Sequence, residues 1–329
     1  NFTKYFAANF ERFGLKKLIS TSYSQSAGSR QLTLFEEESP HYDPALHETR
    51  GKLFTLTRDT DGSGFIDTDD IEFNGYLEGD GDFRSDEVRR LRDQADIIIT
   101  NPPFSLFREF LAWIMEAGKQ FVIIGNQNAI TYKEVFPLLK DNKMWLGHGF
   151  KSNVGFFYAP EYDDYATASQ HQEGFIRVSG VMWFTNIDHG KRHETLLLDT
   201  MENNLKFNSR LKKAFEKDYG EIKYPRYDNY DAIEVPFTEC IPSDYDGVMG
   251  VPITFMDKYD PDQFEIIGTC ENEDLYGLKT RRYTTQECRN RYYELFGKPG
   301  TYDLNRSGVV NGKQVYQRIL IRHKKGGAQ

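Results

Sequence analysis

An apolar run that ends in two prolines governs this chain: DIIITNPPF at 96–104. Unbroken apolarity rather than alternation marks a strand buried on both faces, as the strands of parallel sheets are. Proline has no N–H for a ladder and a fixed φ, so the pair stops the strand and stiffens the backbone beyond it. Asn101, Pro102, Pro103 and Phe104 are thereby expected at the carboxyl end of a central strand, where open α/β sheets place ligands. The Asn101 side chain and the Pro102 backbone offer two fixed carbonyl acceptors beside the Phe104 ring. That set suits a planar molecule carrying an amino group.

Around this strand, helical and strand patterns alternate. The opening NFTKYFAANFERFGLKKLISTSY reads as an amphipathic helix running into a strand near 16–22, and 24–50, which includes Glu36, Glu37 and Glu38, reads as a loop. KLFTLT at 52–57 and IEFNGYL at 71–77 read as the arms of a hairpin. Ser85 is expected to cap a helix through about Gln94, Ser105 to cap SLFREFLAWIMEAGK, and Thr131 with Glu134 to form a capping box. FVIIG at 121–125, MWLG at 144–147, VGFFYA at 154–159 and VMWFTN at 181–186 continue the strands. The alternation predicts an α/β fold with a mainly parallel sheet, receiving antiparallel additions late. Regularity fades near residue 200, which divides the sequence into 1–200 and 201–329.

Charge is segregated along the chain. The net charge of −9 argues against a nucleic-acid partner, but residues 58–87 hold eleven Asp and Glu against Arg58 and Arg84 and account for all of it. Residues 276–325 hold twelve Lys and Arg against three acids, interleaved with seven aromatics, among them Tyr283, Tyr292, Phe296 and Tyr316. Such a segment can follow phosphates and pack on bases or sugars; an ordinary solvated basic face has the same composition. Its candidates for DNA contact are Arg281, Arg282, Arg289 and Arg291. Three widely spaced cysteines and no membrane-length apolar run point to a reducing, cytoplasmic setting.

Two weaker patterns stand apart. DTDGSGFIDTDD at 59–70 matches a calcium loop through Asp59, Asp61, Ser63, the Phe65 carbonyl, Asp67 and Asp70. The terminal acid is usually Glu, and strand-like flanks favour an acidic hairpin turn over an occupied ion site. His189 and His193 lack further ligands at convincing spacing and read as part of a basic surface segment.

The ordered strings GDGDFRS at 79–85, TNPPFSLFREF, IGNQNAITYKEVF, YPRYDNYDAIEV, DYDGVMGVPITF and YQRILIR resemble the EcoRI-type adenine-specific DNA methyltransferases over nearly the whole chain. The resemblance implies a Rossmann-like, S-adenosylmethionine-dependent catalytic domain through about residue 200 and a target-recognition region after it. It implies N6 methylation of a flipped adenine in double-stranded DNA within a restriction-modification system. It makes Asn101, Pro102, Pro103 and Phe104 catalytic and assigns Asp82 and Phe83 to the cofactor's adenine, while Trp183 or Phe184 is a candidate second wall for the target base. Family members carry an earlier strand and acidic turn for the methionine part. The sequence is therefore expected to be amino-terminally incomplete and to bind the cofactor poorly. RNA adenine, cytosine N4 or protein glutamine as target, and a DNA-binding protein without catalysis, are the alternatives.

Overall fold

The structure, a computed structural model, describes residues 2–24, 39–148, 154–158 and 175–324. The loop acids Glu36, Glu37 and Glu38 lie outside them. The chain divides into two compact units, 1–125 and 126–329. This partition falls earlier than the change of sequence character near residue 200.

In the first unit a helix, Phe2–Ala7, leads to β1 (Leu18–Ser22), which pairs antiparallel with β2 (Lys52–Leu56); β2 pairs antiparallel with β3 (Glu72–Tyr76). Ala7, Phe10 and Leu56 form the buried core of this sheet, with Leu15, Leu18, Ile66 and Ile71 packed against it. The helix Asp86–Gln94 begins where Ser85 accepts from the Val88 N–H, as its sequence predicts. β4 (Ile97–Thr100) runs parallel to β5 (Gln120–Asn126), with Ile98 opposite Phe121 and Thr100 opposite Ile123. Between them the helix Phe107–Glu116 buries Phe107, Phe110, Leu111, Trp113 and Ile114. Arg92 lies 4.9 Å over the Trp113 ring and donates to the Trp113 carbonyl at 2.7 Å, joining the two helices.

One close approach orders the turn after β3. Gly81 has φ +87°, and a Cβ there would collide with the Ser22 carbonyl oxygen; a Cβ on Gly51 would come within 2.7 Å of both Gly81 Cα and that same oxygen. The gap is closed by hydrogen bonds from Ser24 N–H to the Asp80 carbonyl (2.8 Å) and from Gly51 N–H to the Gly79 carbonyl (3.0 Å). Residues 79–82 are thus stitched to both β1 and the start of β2. Gly81→Ala is expected to lose about 1–2 kcal/mol from the left-handed backbone alone, and more from the collision. Urea denaturation of the purified variant measures the loss, and an unchanged midpoint would refute the packing argument.

In the second unit β6 (Trp145–Leu146) pairs antiparallel with β9 (Val181–Thr185), and β7 (Val154–Tyr158) pairs antiparallel with β8 (Phe175–Ser179). Two helices, Met201–Phe207 and Ser209–Tyr219, precede β10 (Ala232–Glu234), β11 (Val248–Pro252) and β12 (Phe264–Thr269). The helix Thr285–Phe296 comes next, then the small hairpin of β13 (Val309–Val310) and β14 (Lys313–Gln314), and β15 (Arg318–His323). Four of these strands make a sheet of order β10-β11-β15-β12, in which β10 and β11 are parallel and β15 is antiparallel to both neighbours. Glu234, at the end of the edge strand β10 and with no exposed surface, pairs with Arg318 at the start of β15 through Nη2 to Oε1 at 2.6 Å and accepts from the Tyr227 hydroxyl. Cys240, Cys270 and Cys288 are buried free thiols of this unit.

Four expectations need correction. The sheets are mixed rather than mainly parallel: β4/β5 and β10/β11 are parallel, whereas β1/β2, β2/β3, β6/β9, β7/β8, β11/β15 and β12/β15 are antiparallel. An apolar run does not report strand direction. Nor is β4 the doubly buried central strand expected: among the described residues it pairs only with β5, Ile97 is 42% exposed and Ile98, Ile99 and Thr100 are half-buried. Ser105 does not cap a helix. It sits inside a 3₁₀ turn, Phe104–Leu106, whose Leu106 N–H bonds the Pro103 carbonyl, and the α-helix starts only at Phe107. Thr131 likewise ends a 3₁₀ turn, Gln127–Thr131, and donates to the Asn128 carbonyl rather than closing a capping box; Pro137 sits at the start of the helix Phe136–Lys140, whose first residues carry no side-chain cap.

Candidate active site

β4 delivers its four-residue ending as the prolines require. Pro102 is buried and wedges the chain, Asn101 is exposed immediately after the strand, and Phe104 keeps 39% of its surface open. The backbone bonds of the next turn run from Leu106 N–H to the Pro103 carbonyl and from Phe107 N–H to the Phe104 carbonyl, so neither uses the Pro102 carbonyl. The Asn101 amide is held by no hydrogen bond among the described residues. The exposed Asn101 amide and the Phe104 ring stand at one strand end beside the buried Pro102, with Phe107 and Leu111 anchoring the helix beyond them.

The turn fixed by Gly81 presents Asp82 and Phe83. Asp82 is doubly held by Arg84: Oδ1 accepts from the Arg84 N–H (2.8 Å) and Nε (2.9 Å), and Oδ2 from Nη2 (2.6 Å). The same guanidinium reaches Glu109 on the helix Phe107–Glu116 at 3.4 Å and lies 5.5 Å from the Phe83 ring centre. The Arg84 hydrogen bonds hold the Asp82 carboxyl below its ordinary pKa, against the opposing effect of its partial burial. Phe83 packs edge-on against Phe110 (5.0 Å) and Trp113 (5.6 Å), and an open cleft is lined by Phe83, Arg84, Glu109 and Trp113. Arg84 is the residue that sequence reasoning missed. Its signal was the Asp-Phe-Arg spacing in GDGDFRS, which lets a side chain fold back on the acid two residues before it.

Residues 1–324 match the family model for the adenine-specific EcoRI methyltransferase. The chain belongs to this family. It is 38% identical to the type II methyltransferase M.EcoRI of Escherichia coli over 99% of its own length and 82% of that protein. It is 31% identical to M.MgeORF184P of Mycoplasma genitalium and 30% identical to M.MpnI of Mycoplasma pneumoniae, in each case over 98% of this chain and 84% of the relative. No solved structure matches it.

The other residues singled out in this EcoRI-family chain fall in distinct surroundings. Phe184 has no exposed surface and is a core residue of β9, whereas Trp183 is half-buried. In the basic segment, the helix Thr285–Phe296 opens with a full Thr284/Glu287 capping box that the sequence reading did not single out. Arg281 bonds Glu287 at 2.6 Å and stands 4.5 Å over the Tyr283 ring. Arg291 is spent on structure, donating from Nε to the Gly312 carbonyl (2.6 Å) and pairing with Glu294. Arg282 touches Asp274 only at 4.0 Å, and Arg289 is exposed with no ion pair among the described residues. Tyr293 and Tyr316 stand 60% and 78% exposed. His193 lies between Asp188 and Asp262, whose carboxylates raise its pKa, and His189 contacts the Leu146 carbonyl. No helix of the described residues is long and apolar enough to cross a membrane.

In the acidic loop, oxygens of Asp59, Asp61 and Asp70 lie within 4.8 Å of one another. Those carboxylates are already engaged by the loop's own backbone: Asp70 accepts from the N–H groups of Thr60, Asp61 and Asp67, Asp59 from those of Gly62 and Gly64, and Asp61 from that of Ser63. Ser63 donates to the Phe65 carbonyl, and Asp67 accepts from Asp69. This is the hydrogen-bonding of a self-closed acidic turn. Melting curves with calcium and with chelator are expected to coincide; a clear rise with calcium would overturn that description.

Proposed function

We propose that this adenine-specific methyltransferase methylates N6 of adenine in double-stranded DNA, using S-adenosylmethionine, as the modification partner of a restriction system. The observation that carries the reading is the exposed Asn101 amide beside the open Phe104 ring, with the Pro102 carbonyl next to them left unused by the following turn. An exocyclic adenine nitrogen is a weak nucleophile because its lone pair is delocalised into the ring. Two acceptors on its two protons favour a pyramidal nitrogen and aim the lone pair outward, and the rigid prolines hold them in place without reorganisation. Phe104 stacks on the base, which must leave the duplex to reach a strand end.

S-adenosylmethionine supplies an electrophilic methyl when bound. The residues suit its adenine end: the Asp82 carboxylate, its side chain 24% exposed, is an acceptor for an amino group, and Phe83 supplies ring contact. Residues after about 200 act as the target-recognition region, and of the four candidate arginines Arg282 and Arg289 are the less engaged and the better placed for phosphate. Assaying labelled methyl transfer to duplex DNA, RNA and protein in parallel tests the reading. Incorporation as N6-methyladenine in duplex DNA is expected; label in RNA or protein alone would refute it.

A further inference from the structure

We propose that Arg84 is the positioning residue for the adenine-recognising carboxylate of Asp82, leaving it one acceptor direction and tying it to the helix that follows Asn101-Pro-Pro-Phe. The inference rests on the reading that Asp82 receives the cofactor's adenine.

A carboxylate offers about four acceptor sites. Three N–H groups of one residue engage Asp82: the Arg84 N–H and Nε on Oδ1, and Nη2 on Oδ2, with the Nε proton also shared more distantly to Oδ2 at 3.3 Å. The remaining site is on Oδ2, so the group that would otherwise accept from any direction is reduced to a single one. The fork does this because its N–H groups are coplanar and rigid; an ammonium at the same place would fix one oxygen and leave the other to rotate. Further ties restrict the acid's own backbone, since the Asp82 N–H bonds Asp80 Oδ1 and the Asp82 carbonyl accepts from Ser85. Arg84 Nη1 then reaches Glu109 Oε2, in the first turn of the helix Phe107–Glu116. The acid that reads the purine and the helix that carries the Phe104 turn are therefore joined through one side chain.

A fixed acceptor discriminates between purines. It accepts from a 6-amino group and repels a 6-oxo group, so the sharper its direction, the larger the difference between them. The test measures equilibrium binding of S-adenosylhomocysteine and of its 6-oxo counterpart, S-inosylhomocysteine, to the full-length protein and three variants. The unaltered protein is expected to prefer the amino compound by about tenfold or more, the scale of a hydrogen bond to a charged group. Arg84→Ala is expected to bring that preference close to unity, with Arg84→Lys restoring part of it. Asp82→Asn is expected to abolish it.

The outcomes separate the two ideas. If Asp82→Asn erases the preference and Arg84→Ala preserves it, Asp82 reads the purine without help and the positioning role falls. If Arg84→Ala weakens both compounds equally, Arg84 is structural only, and the proposal falls again. Tighter binding of the amino compound by Arg84→Ala would make the guanidinium an obstacle to Asp82 and would also overturn it. If Asp82→Asn itself leaves the preference intact, the assignment of Asp82 to the cofactor fails.

Discussion

Asn101→Ala is expected to lower methyl transfer to duplex DNA by about 10²- to 10³-fold or more, the scale seen when one preorganised polar group is removed from a reacting centre. The truncation removes one of two acceptors and leaves the Pro102 carbonyl alone. The adenine nitrogen then keeps a proton that nothing orients, and its lone pair stays in the ring. Folding should be indifferent, because Asn101 is exposed just past β4 while the neighbouring packing comes from Pro102, Phe107 and Leu111. Affinity for DNA, measured by mobility shift, should accordingly change little. Asn101→Asp keeps an acceptor and should retain a measurable fraction of the rate. Near-normal turnover by Asn101→Ala would remove the residue from the mechanism.

The largest expected loss of stability is in the other unit. Glu234→Ala leaves the Arg318 guanidinium, its side chain only 10% exposed, without its carboxylate at the start of β15 in the β10-β11-β15-β12 sheet. Breaking a buried pair on one side costs about 3–5 kcal/mol, because the surviving charge is stranded. In a unit of this size that lowers the melting temperature by on the order of 10 °C. Burial lowers the Arg318 pKa and Glu234 raises it more, so the net shift is upward and the cation is retained. A double variant, Glu234→Met with Arg318→Met, should be less destabilised than either single change, since replacing both charges removes the stranded group. Equal melting temperatures for Glu234→Ala and the unaltered protein would contradict the account.

The sequence was most legible where one force dominates. β4 and β5 follow from apolar runs, the helix Asp86–Gln94 from Ser85, and the hairpin of β2 and β3 from its turn composition. It was least legible where two local solutions compete. Ser105 and Thr131 carry hydroxyls suited to capping, but the nearby Pro103 and Pro137 redirect the chain into 3₁₀ turns or shift the helix start. Strand direction was legible only in part: β4 and β5 run parallel and the later β6 and β9 antiparallel, as expected, but the antiparallel pairing of β1, β2 and β3 makes the sheets mixed rather than mainly parallel. The candidate site divides similarly. Asn-Pro-Pro-Phe announces itself through rigidity, and Asp82 through resemblance, while Arg84 becomes visible only when its guanidinium is seen on that acid. Asn229, fully buried in YPRYDNYD, was equally silent: its amide spans Ser307 and Val309, contacts almost eighty residues away that no local pattern reports.

Every thiol of the described chain, Cys240, Cys270 and Cys288, belongs to the second unit and is enclosed. Burial pushes Cys240 up to about 11 and Cys270 higher still, so neither offers a thiolate at neutral pH while the unit is closed. Alkylation therefore requires opening of the second unit and is blind to the first. The three cysteines make a built-in clock for one half of the molecule, timing the loosening of the sheet around Arg318 while leaving the Asn101 strand unlabelled.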